Sequence, residues 1–505
     1  MRVSILISLL YVFAVFSASA QAPSPSPQRS PEASAYKDEP PVVTKHTVRV
    51  GARQLSYTVT TGFMPIKNER SGDVEAKMFY MAYTLDGTAD PAKRPLLVSF
   101  NGGPGSASVW LHMGALGPRR TKMLDDGLMP SPPYELEDNQ QTWLAETDIV
   151  FVDPVGTGYS RATKTEYGPK FWGVNGDIES VGEFIRLYLG RADRWASPLF
   201  LVGESYGTTR AAGLSNYLFE HGIGLNGILL ISTVMNFGSI RFAENNDLPI
   251  VLIFPSYTST AWYHKKLPPD QQRRPLRDVL KDAEKFAANE FLPALIRIDK
   301  LTPQEKQGLL DKFSMYTGLS RDFIDRSNFR IDLNEFLKEL LRDQRRTVGR
   351  LDSRFTGIDR DAAGSGTEFD PSMTAIRPPY TATFNDYVRR ELNYRSDAEY
   401  WILGGGFNGW NWNVENGYAD TSQALSSAMR KNPYMKVFVA QGYYDMATPY
   451  FAAEYSVSAM NLDPQIRKNF SFEYYEAGHM MYIEKNSLKK LHDDAAAFIQ
   501  NSLRK

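Results

Sequence analysis

The 505-residue sequence contains no cysteine. This absence excludes disulfide bonds, a cysteine nucleophile and a metal site built on thiolates. Histidine is also scarce, with six dispersed residues and no His-Glu-x-x-His motif, so neither a metal nor any other cofactor is predicted. Stability must come from burial and hydrogen bonding, which a chain of this length can supply.

The sequence also lacks an excess of charge of either sign. The 57 Lys and Arg residues nearly balance the 58 Asp and Glu residues, for a formal net charge of −1. This balance argues against a nucleic-acid partner and against a polybasic membrane protein. Beyond the N-terminal segment no apolar stretch approaches membrane-spanning length, so no stable membrane insertion is expected.

The N-terminal 20 residues have the pattern of a secretory signal peptide. Arg2 supplies positive charge, residues 5–16 form an apolar core, and Ala18-Ser19-Ala20 resembles a cleavage site. A short membrane anchor is the alternative, but the apolar core is short and a Pro/Ser-rich segment follows. We therefore expect a secreted or periplasmic protein in which residues 21–45 are a disordered linker.

The rest of the chain predicts an α/β fold with an inserted cap. Residues 46–85 alternate between apolar and polar, which indicates antiparallel strands. Four short apolar runs follow, typical of buried parallel strands, and a helical stripe over 177–189 lies between the second and the third. The runs are at 95–100, 148–152, 199–202 and 227–231. Strand-helix-strand alternation of this kind indicates a mostly parallel central sheet.

The alternation stops near residue 236 and returns with apolar runs at 435–440 and 470–475. The economical interpretation is one sheet interrupted by a mostly helical cap. The predicted divisions are a first core part at 46–236, the cap at 237–399 and a second core part at 400–505.

A Gly-Glu-Ser-Tyr-Gly pentapeptide at 203–207 stands between the third apolar run and a helix-like segment. Strand, Gly-x-Ser-x-Gly and helix form the context of a nucleophile elbow, in which the two glycines permit a sharp turn that exposes the serine. Ser205 is therefore the candidate nucleophile, and an α/β-hydrolase fold is predicted.

A serine nucleophile needs a base and an orienting acid, which follow the serine in that fold in the order acid, then histidine. His479 comes directly after the last predicted strand, whereas His492 lies in a charged helical tail and is expected at the solvated surface. Asp445 is the only carboxylate in the loop after the run at 435–440. Ser205, Asp445 and His479 form the predicted triad.

Acyl transfer also needs donors for the developing oxyanion. The Asn-Gly-Gly-Pro-Gly segment at 101–105 follows the first buried run, where an α/β-hydrolase places its oxyanion loop. The backbone N–H groups of Gly103 and Tyr206 are the predicted donors.

With these motifs in place, the sequence resembles the serine carboxypeptidases, peptidase family S10, over essentially the whole mature chain. Four segments carry the resemblance in the family's order: 101–105, the Asp-Pro-Val-Gly-Thr-Gly-Tyr-Ser loop at 153–160, 203–207 and 478–480. The resemblance implies hydrolysis at peptide and protein C-termini. It also implies that Asn101, Glu204 and the N–H of Gly102 hold the substrate's free carboxylate, which favours acidic pH because Glu204 must be protonated.

The sequence departs from the family pattern at several positions. Ser106 stands where familiar members have cysteine, and the stretch at 113–118 lacks the Glu that some members carry, so no second carboxylate-binding acid is expected there. Met481 and Tyr482 replace the usual Val-Pro. Arg119 and Arg120 are expected at the solvated surface, and the Trp/Asn-rich stretch at 407–418 either lines a subsite or packs between cap and core.

Two other functions stay open. An esterase or acyltransferase on the same scaffold would keep the triad and the oxyanion loop, and a catalytically inactive binding protein would need neither. The presence of every triad residue argues against the second alternative. The sequence does not determine the oligomeric state or the side-chain preference.

Overall fold

A ten-stranded sheet forms the framework of the molecule. The computed structural model describes residues 39–405, 407 and 409–504, so the predicted signal peptide and residues 21–38 of the predicted linker lie outside the described residues. The strands are β1 (Val42–Val50), β2 (Arg53–Lys67), β3 (Val74–Leu85), β4 (Leu96–Phe100), β5 (Arg119–Thr121), β6 (Leu136–Asp138), β7 (Asp148–Val152), β8 (Arg161–Ala162), β9 (Leu199–Ser205), β10 (Gly227–Thr233), β11 (Thr347–Val348), β12 (Thr356–Gly357), β13 (Lys436–Gly442) and β14 (Phe470–Tyr475).

Helices cover the faces of the sheet and fill the segment between β10 and β13. They are α1 (Val109–Leu111), α2 (Gly168–Phe171), α3 (Val174–Arg191), α4 (Tyr206–Glu220), α5 (Leu248–Tyr263), α6 (Pro269–Gln272), α7 (Leu276–Phe286), α8 (Leu292–Ile296), α9 (Pro303–Thr317), α10 (Arg321–Arg326), α11 (Leu333–Glu339), α12 (Pro371–Arg390), α13 (Ser422–Lys431), α14 (Tyr450–Ser458), α15 (Pro464–Arg467) and α16 (Lys485–Ser502). Within the described ranges, no helix is both long enough and apolar enough to cross a bilayer.

The sheet combines an antiparallel edge with a parallel centre. Its order is β1-β2-β3-β7-β4-β9-β10-β13-β14, and β8 pairs with β3. Pairing is antiparallel from β1 to β7 and parallel from β7 to β14. The predicted α/β class, with a mostly parallel sheet, is confirmed. The parallel strands end at the same edge of the sheet, where ligand sites form in such folds.

The parallel strands are buried on both faces, as their apolar runs predict. Along β9, Phe200 and Val202 belong to one apolar cluster, and Leu199 and Leu201 belong to the cluster on the opposite face. The period of two that separates them is the ordinary alternation of side chains along a strand. Helices α3 and α4 pack on the second face, where Ile185 and Leu214 join the cluster.

The inserted helices have an apolar cluster of their own. Phe254 of α5, Phe313 of α9 and Phe336 of α11 are fully buried in it. The helix α9 begins with the capping box that the sequence predicts, because Thr302 and Glu305 bond to each other's backbone N–H. Met446, from the loop after β13, joins the same cluster, so the inserted helices pack against the loop that carries Asp445.

The predicted end of the linker at residue 45 lies inside β1. This strand starts at Val42 and pairs with β2 from Val42↔Thr61 onward. Three of the four residues at 42–45 are β-branched, which favours a strand. Two prolines, at 40 and 41, precede them directly and are typical of a linker. The first core part therefore begins at least four residues earlier than predicted.

Candidate active site

Ser205 lies at a sharp turn between β9 and α4. Its backbone adopts φ 59° and ψ −131°, a conformation that residues other than glycine rarely adopt. It costs free energy and is retained mainly at functional sites. The flanking glycines make the turn possible. A Cβ on Gly203 would lie 2.2 Å from the Gly207 carbonyl oxygen, and one on Gly207 would lie 2.9 Å from that of Phe100. The geometry of a nucleophile elbow is present.

Asp445 and His479 meet at the carboxyl ends of β13 and β14. His479 Nδ1 lies 2.7 Å from Asp445 Oδ2, and the Asp445 side chain is fully buried. Asp445 is fixed by the backbone N–H groups of Ala447 and Thr448, at 2.8 and 3.0 Å, and by the Thr448 hydroxyl at 2.6 Å. The carboxylate is therefore held in one orientation before any substrate binds.

The backbone of His479 is anchored on both sides. Its N–H donates to the Leu351 carbonyl at 2.6 Å, and its own carbonyl accepts from the Ser232 hydroxyl at 2.5 Å. Burial is the largest single influence and disfavours the imidazolium, but the Asp445 charge, the hydrogen bond to Asp445 and the Glu204 charge together raise the pKa of His479. Such a histidine can take up a proton during a reaction and hold it beside the aspartate.

Ser205 and His479 line the same cavity. Among the described residues, the Ser205 hydroxyl makes no hydrogen bond to the His479 imidazole. Ser205 is half-buried. Contacts between a nucleophile and its base are often long without substrate. The three predicted triad residues are thus brought together at one edge of the sheet.

The segment at 101–105 lies directly against the elbow. A Cβ on Gly102 would lie 2.4 Å from the Tyr206 nitrogen and 2.7 Å from that of Gly207, so only glycine fits there. Gly103 adopts φ +100°, which also favours glycine. Tyr206 is the first residue of α4, a position whose N–H has no partner within the helix. Gly103, Ser205 and Tyr206 together line one cavity.

Glu204 and Asn101 form a buried pair beside Ser205. The Asn101 amide donates to Glu204 Oε1 at 3.0 Å, and the Tyr482 hydroxyl donates to Glu204 Oε2 at 2.5 Å. Burial raises the pKa of Glu204 to about 7, against opposing contributions from the His479 charge and from the two hydrogen bonds. A carboxyl group that is partly protonated at neutral pH therefore faces the same cavity as the serine.

A buried ion pair fixes the position of Asn101. Arg210 of α4 donates to Asp177 of α3 at 2.8 Å and to the backbone carbonyl of Asn101 at 2.7 Å. The Tyr206 hydroxyl completes the group through a 3.2 Å bond to Asp177. The loop after β4 is thereby tied to both helices that pack behind the elbow.

Two cavities meet at Ser205, and both are also lined by Gly103 and Arg350. The smaller, of about 240 Å³, contains Asn101, Gly102 and Glu204. Its remaining walls are mostly apolar, with Trp110, Leu351, Met373, Ile376, Leu403 and Met480. The larger, of about 450 Å³, lies on the other side of the serine and carries Arg241 and Asp332 among apolar side chains.

Several sequence-based expectations about flanking residues are wrong. Arg120 is buried and pairs with Glu137 at 3.4 Å, and Arg119 bonds to Asp138 and Glu391 instead of facing solvent. Glu137 and Asp138 lie across the short β5–β6 hairpin, and Glu391 directly follows α12, contacts that charge patterning alone does not reveal.

His492 is also placed differently, since its side chain is only 19% exposed on α16. The aromatic stretch packs against the core: Trp410 contacts Tyr206, and Trp412 contacts Phe237, with ring centroids 5.3 and 4.6 Å apart. Of the two interpretations of this stretch, packing is the one that the structure favours.

Sequence reasoning missed three side chains at the site. Tyr482 was noted as a departure from the family pattern, but its bond to Glu204 spans 278 positions and has no local signal. Thr448 comes directly after the Asx turn that Asp445 makes with the Ala447 N–H, and this local turn could have identified it. Arg350 reaches the site from the segment predicted as a mostly helical cap, where no motif marks it.

Comparison with known proteins identifies the family. The model of the family described as "Serine carboxypeptidase" matches residues 51–492. The chain belongs to the serine carboxypeptidase family. Among solved structures, it is similar to Kex1Δp, a prohormone-processing carboxypeptidase from Saccharomyces cerevisiae, with a TM-score of 0.52 and 14% identity over 88% of this chain and 91% of that one. This similarity confirms the α/β-hydrolase fold.

Curated relatives match over shorter segments. Serine carboxypeptidase-like 1 of Arabidopsis thaliana is 28% identical over 156 residues, which cover 30% of this chain and 33% of the relative. Serine carboxypeptidase-like 45 of the same plant is 26% identical over 219 residues, or 39% and 42% of the two chains. The chain thus spans about a third of the length of the first of these relatives.

Proposed function

We propose that the protein is a serine carboxypeptidase that removes C-terminal residues from peptides through an acyl-enzyme and prefers acidic pH. The observation that carries the proposal is the buried Asn101–Glu204 pair beside Ser205. An ordinary esterase has no need of a second carboxyl group with a pKa near 7 next to its nucleophile. A peptide with a free C-terminus supplies a carboxylate for that group to bind.

Ser205, His479 and Asp445 supply the nucleophilic chemistry. The Ser205 oxygen attacks the last peptide carbonyl as His479 Nε2 takes its proton, and Asp445 stabilises the imidazolium through Nδ1. His479 then gives the proton to the nitrogen of the last peptide bond. The C–N bond breaks, and the C-terminal residue leaves as a free amino acid. Water, deprotonated by the same histidine, hydrolyses the resulting ester and regenerates the serine.

The backbone N–H groups of Gly103 and Tyr206 stabilise the tetrahedral intermediate. Both residues line the cavity that opens on Ser205, and the close approach of Gly102 to Tyr206 holds the loop and the helix start together. Donors fixed in this way act at the moment when negative charge develops on the carbonyl oxygen.

Asn101, Gly102 and Glu204 bind the substrate's carboxylate. An ionised Glu204 would repel that carboxylate, whereas the protonated form donates a hydrogen bond to it. Since burial raises the pKa of Glu204 to about 7, the binding form predominates below that pH and is lost above it. Simple esters lack the carboxylate, so their hydrolysis does not depend on this proton.

The smaller cavity receives the side chain of the departing residue. Its apolar walls include Trp110, Met373, Ile376 and Leu403, and its volume of about 240 Å³ suits one large side chain. Burying an apolar side chain there is favourable, whereas a charged one would lose its hydration. We therefore expect a preference for peptides that end in a large apolar residue.

The decisive experiment compares a peptide that ends in a free acid with its C-terminal amide, across pH. We expect efficient release of the last residue from the acid, weaker at alkaline pH, and little turnover of the amide. Equal turnover of both would contradict the exopeptidase proposal and favour the esterase or acyltransferase alternative. Labelling of Ser205 by an organophosphonate, absent in Ser205→Ala, distinguishes an enzyme from an inactive binding protein.

The N-terminal segment directs export of the protein in this proposal, to a secreted or periplasmic location. Support comes from the residue pattern at 1–20. N-terminal sequencing of the exported protein would test it: a first residue at Gln21 supports cleavage, and a retained Met1 contradicts it.

A further inference from the structure

Tyr482 contacts the carboxyl oxygen of Glu204 that Asn101 does not. It lies three positions after His479 in a short helical turn, and it is fully buried. Its hydroxyl donates to Glu204 Oε2, while Asn101 donates to Oε1. Each oxygen of the Glu204 carboxyl group thus accepts one hydrogen bond, and the two bonds together fix the orientation of the group.

Gly114 packs against the Tyr482 ring at a position where no side chain fits. A Cβ on Gly114 would lie 2.5 Å from Tyr482 Cε2 and 2.5 Å from the hydroxyl of Tyr380. The stretch at 113–118 around this glycine contains no acidic residue. The donor to Glu204 Oε2 is therefore a phenol hydroxyl, and the neighbouring stretch at 113–118 offers no second carboxyl group.

We propose that Tyr482 is a positioning residue for the carboxylate site, whose hydroxyl orients Glu204 and sets how readily it takes up the proton needed to bind substrate. The pH-dependent part rests on the proposed function, because it concerns binding of a substrate carboxylate. The contact itself and the protonation of Glu204 can be measured without substrate.

The Tyr482 hydroxyl differs from a second carboxyl group because it carries no charge at this site. Burial and the nearby Glu204 charge raise the pKa of Tyr482 far above its ordinary value, so the hydroxyl stays protonated and only donates. Two neighbouring carboxyl groups would instead share protons and titrate as a pair. Glu204 should consequently lose substrate binding through a single proton, as a tenfold fall in kcat/KM per pH unit.

Other groups around Glu204 also influence its pKa. The His479 charge favours ionisation and the Asp445 charge opposes it, while Asn101 favours ionisation through its hydrogen bond. Tyr380 lies nearby but is buried and neutral, and Arg350 acts on His479. Of the two side chains that donate hydrogen bonds to Glu204, Tyr482 is the one that can be altered by one atom without changing a charge.

The test is the variant Tyr482→Phe, which removes the hydroxyl and keeps the ring. Since the lost bond stabilises ionised Glu204, its pKa should rise, and the alkaline limb of peptide hydrolysis should move up by about one pH unit. A ring-fluorinated tyrosine at 482 is a stronger donor and should move the limb the other way. Tyr380→Phe, a matched loss of a buried hydroxyl that is not bonded to Glu204, should leave the limb in place.

Infrared difference spectroscopy supplies a second measurement that does not depend on turnover. The band of the protonated carboxyl, assigned by its loss in Glu204→Gln, should titrate at a higher pH in Tyr482→Phe than in the unaltered protein. An unchanged midpoint would overturn the inference even if the protein is a carboxypeptidase. A shifted midpoint without activity on free-acid peptides would support the inference and contradict the proposed function instead.

Discussion

The side-chain amide of Asn101 donates a 3.0 Å hydrogen bond to the carboxyl group of Glu204, although 103 positions separate the two residues. They meet because β4 and β9 are parallel neighbours in which Phe100 pairs with Gly203, so the residues that follow these two positions lie side by side. Both side chains are buried. This contact makes the pH dependence of the proposed reaction a property of one identifiable carboxyl group.

Glu204→Gln should abolish the alkaline decline of peptide hydrolysis. In the unaltered protein kcat/KM should fall by about tenfold per pH unit above a pKa near 7, because only protonated Glu204 binds the substrate carboxylate. A glutamine cannot ionise, so its pH profile should stay flat there. On the acidic side kcat/KM is limited instead by protonation of His479, the base, whose pKa is raised. The measurement is kcat/KM for one free-acid peptide against pH. A simple ester serves as the control, and a peptide profile unchanged by the mutation would refute the role of Glu204.

Asp445→Asn should reduce kcat by about 10⁴-fold while leaving the fold intact, because asparagine would stabilise the wrong tautomer of His479. Steady-state kinetics on an ester and a peptide, with circular dichroism as a check of folding, measure this effect. Thr448→Val removes one donor to Asp445 without altering the carboxylate and should cost only about tenfold. Similar losses in both variants would show that the site depends on packing alone.

Met373→Glu should change which C-terminal residues are accepted. Met373 is partly buried in the wall of the smaller cavity, so a carboxylate there disfavours apolar side chains and attracts basic ones. The ratio of kcat/KM for peptides that end in Leu and in Lys should fall by about tenfold or more. Met373→Leu conserves the volume and should leave the ratio within a few-fold. A constant ratio in the glutamate variant would place the departing side chain elsewhere.

Asp153→Asn should stabilise the protein at neutral pH but not at acidic pH. Burial raises the pKa of Asp153 from 3.8 to about 6, and its Oδ2 has no hydrogen-bond partner among the described residues. The unfolded chain therefore holds fewer protons on this group than the folded one between these values, so folding stability falls as pH rises through them.

An asparagine does not titrate, so this fall should disappear. At pH 7.5 the variant should gain about 1–3 kcal/mol in the free energy of unfolding, and at pH 3.5 it should gain nothing. Urea denaturation at the two pH values measures both quantities. A gain of equal size at both would mean that the effect is packing and not protonation.

Local patterns were sufficient to predict much of this fold and site. The runs at 199–202 and 227–231 lie in buried parallel strands, because continuous apolar sequence is what two covered faces require. Ser205 could be located because its turn tolerates only glycine on either side. The order of the motifs was enough to predict which aspartate and which histidine lie together.

The remaining features depend on contacts between distant segments. The burial of Arg120 depends on Glu137, which reaches it across a hairpin too short to predict, and the start of β1 depends on pairing with β2. Tyr482 lies beside Glu204 only because the turn after β14 returns over the end of β9. No periodic pattern in the sequence predicts a contact between segments so far apart in the chain.

The Arg210–Asp177 pair has a consequence for how the protein fails on heating. Its side chains are 1% and 2% exposed, and the same guanidinium holds the carbonyl of Asn101. The loop at 101–105 therefore cannot loosen while α3 and α4 stay packed without leaving an N–H of the buried Arg210 guanidinium unpaired. Thermal inactivation should consequently coincide with global melting in one cooperative transition, with no inactive but folded state preceding it.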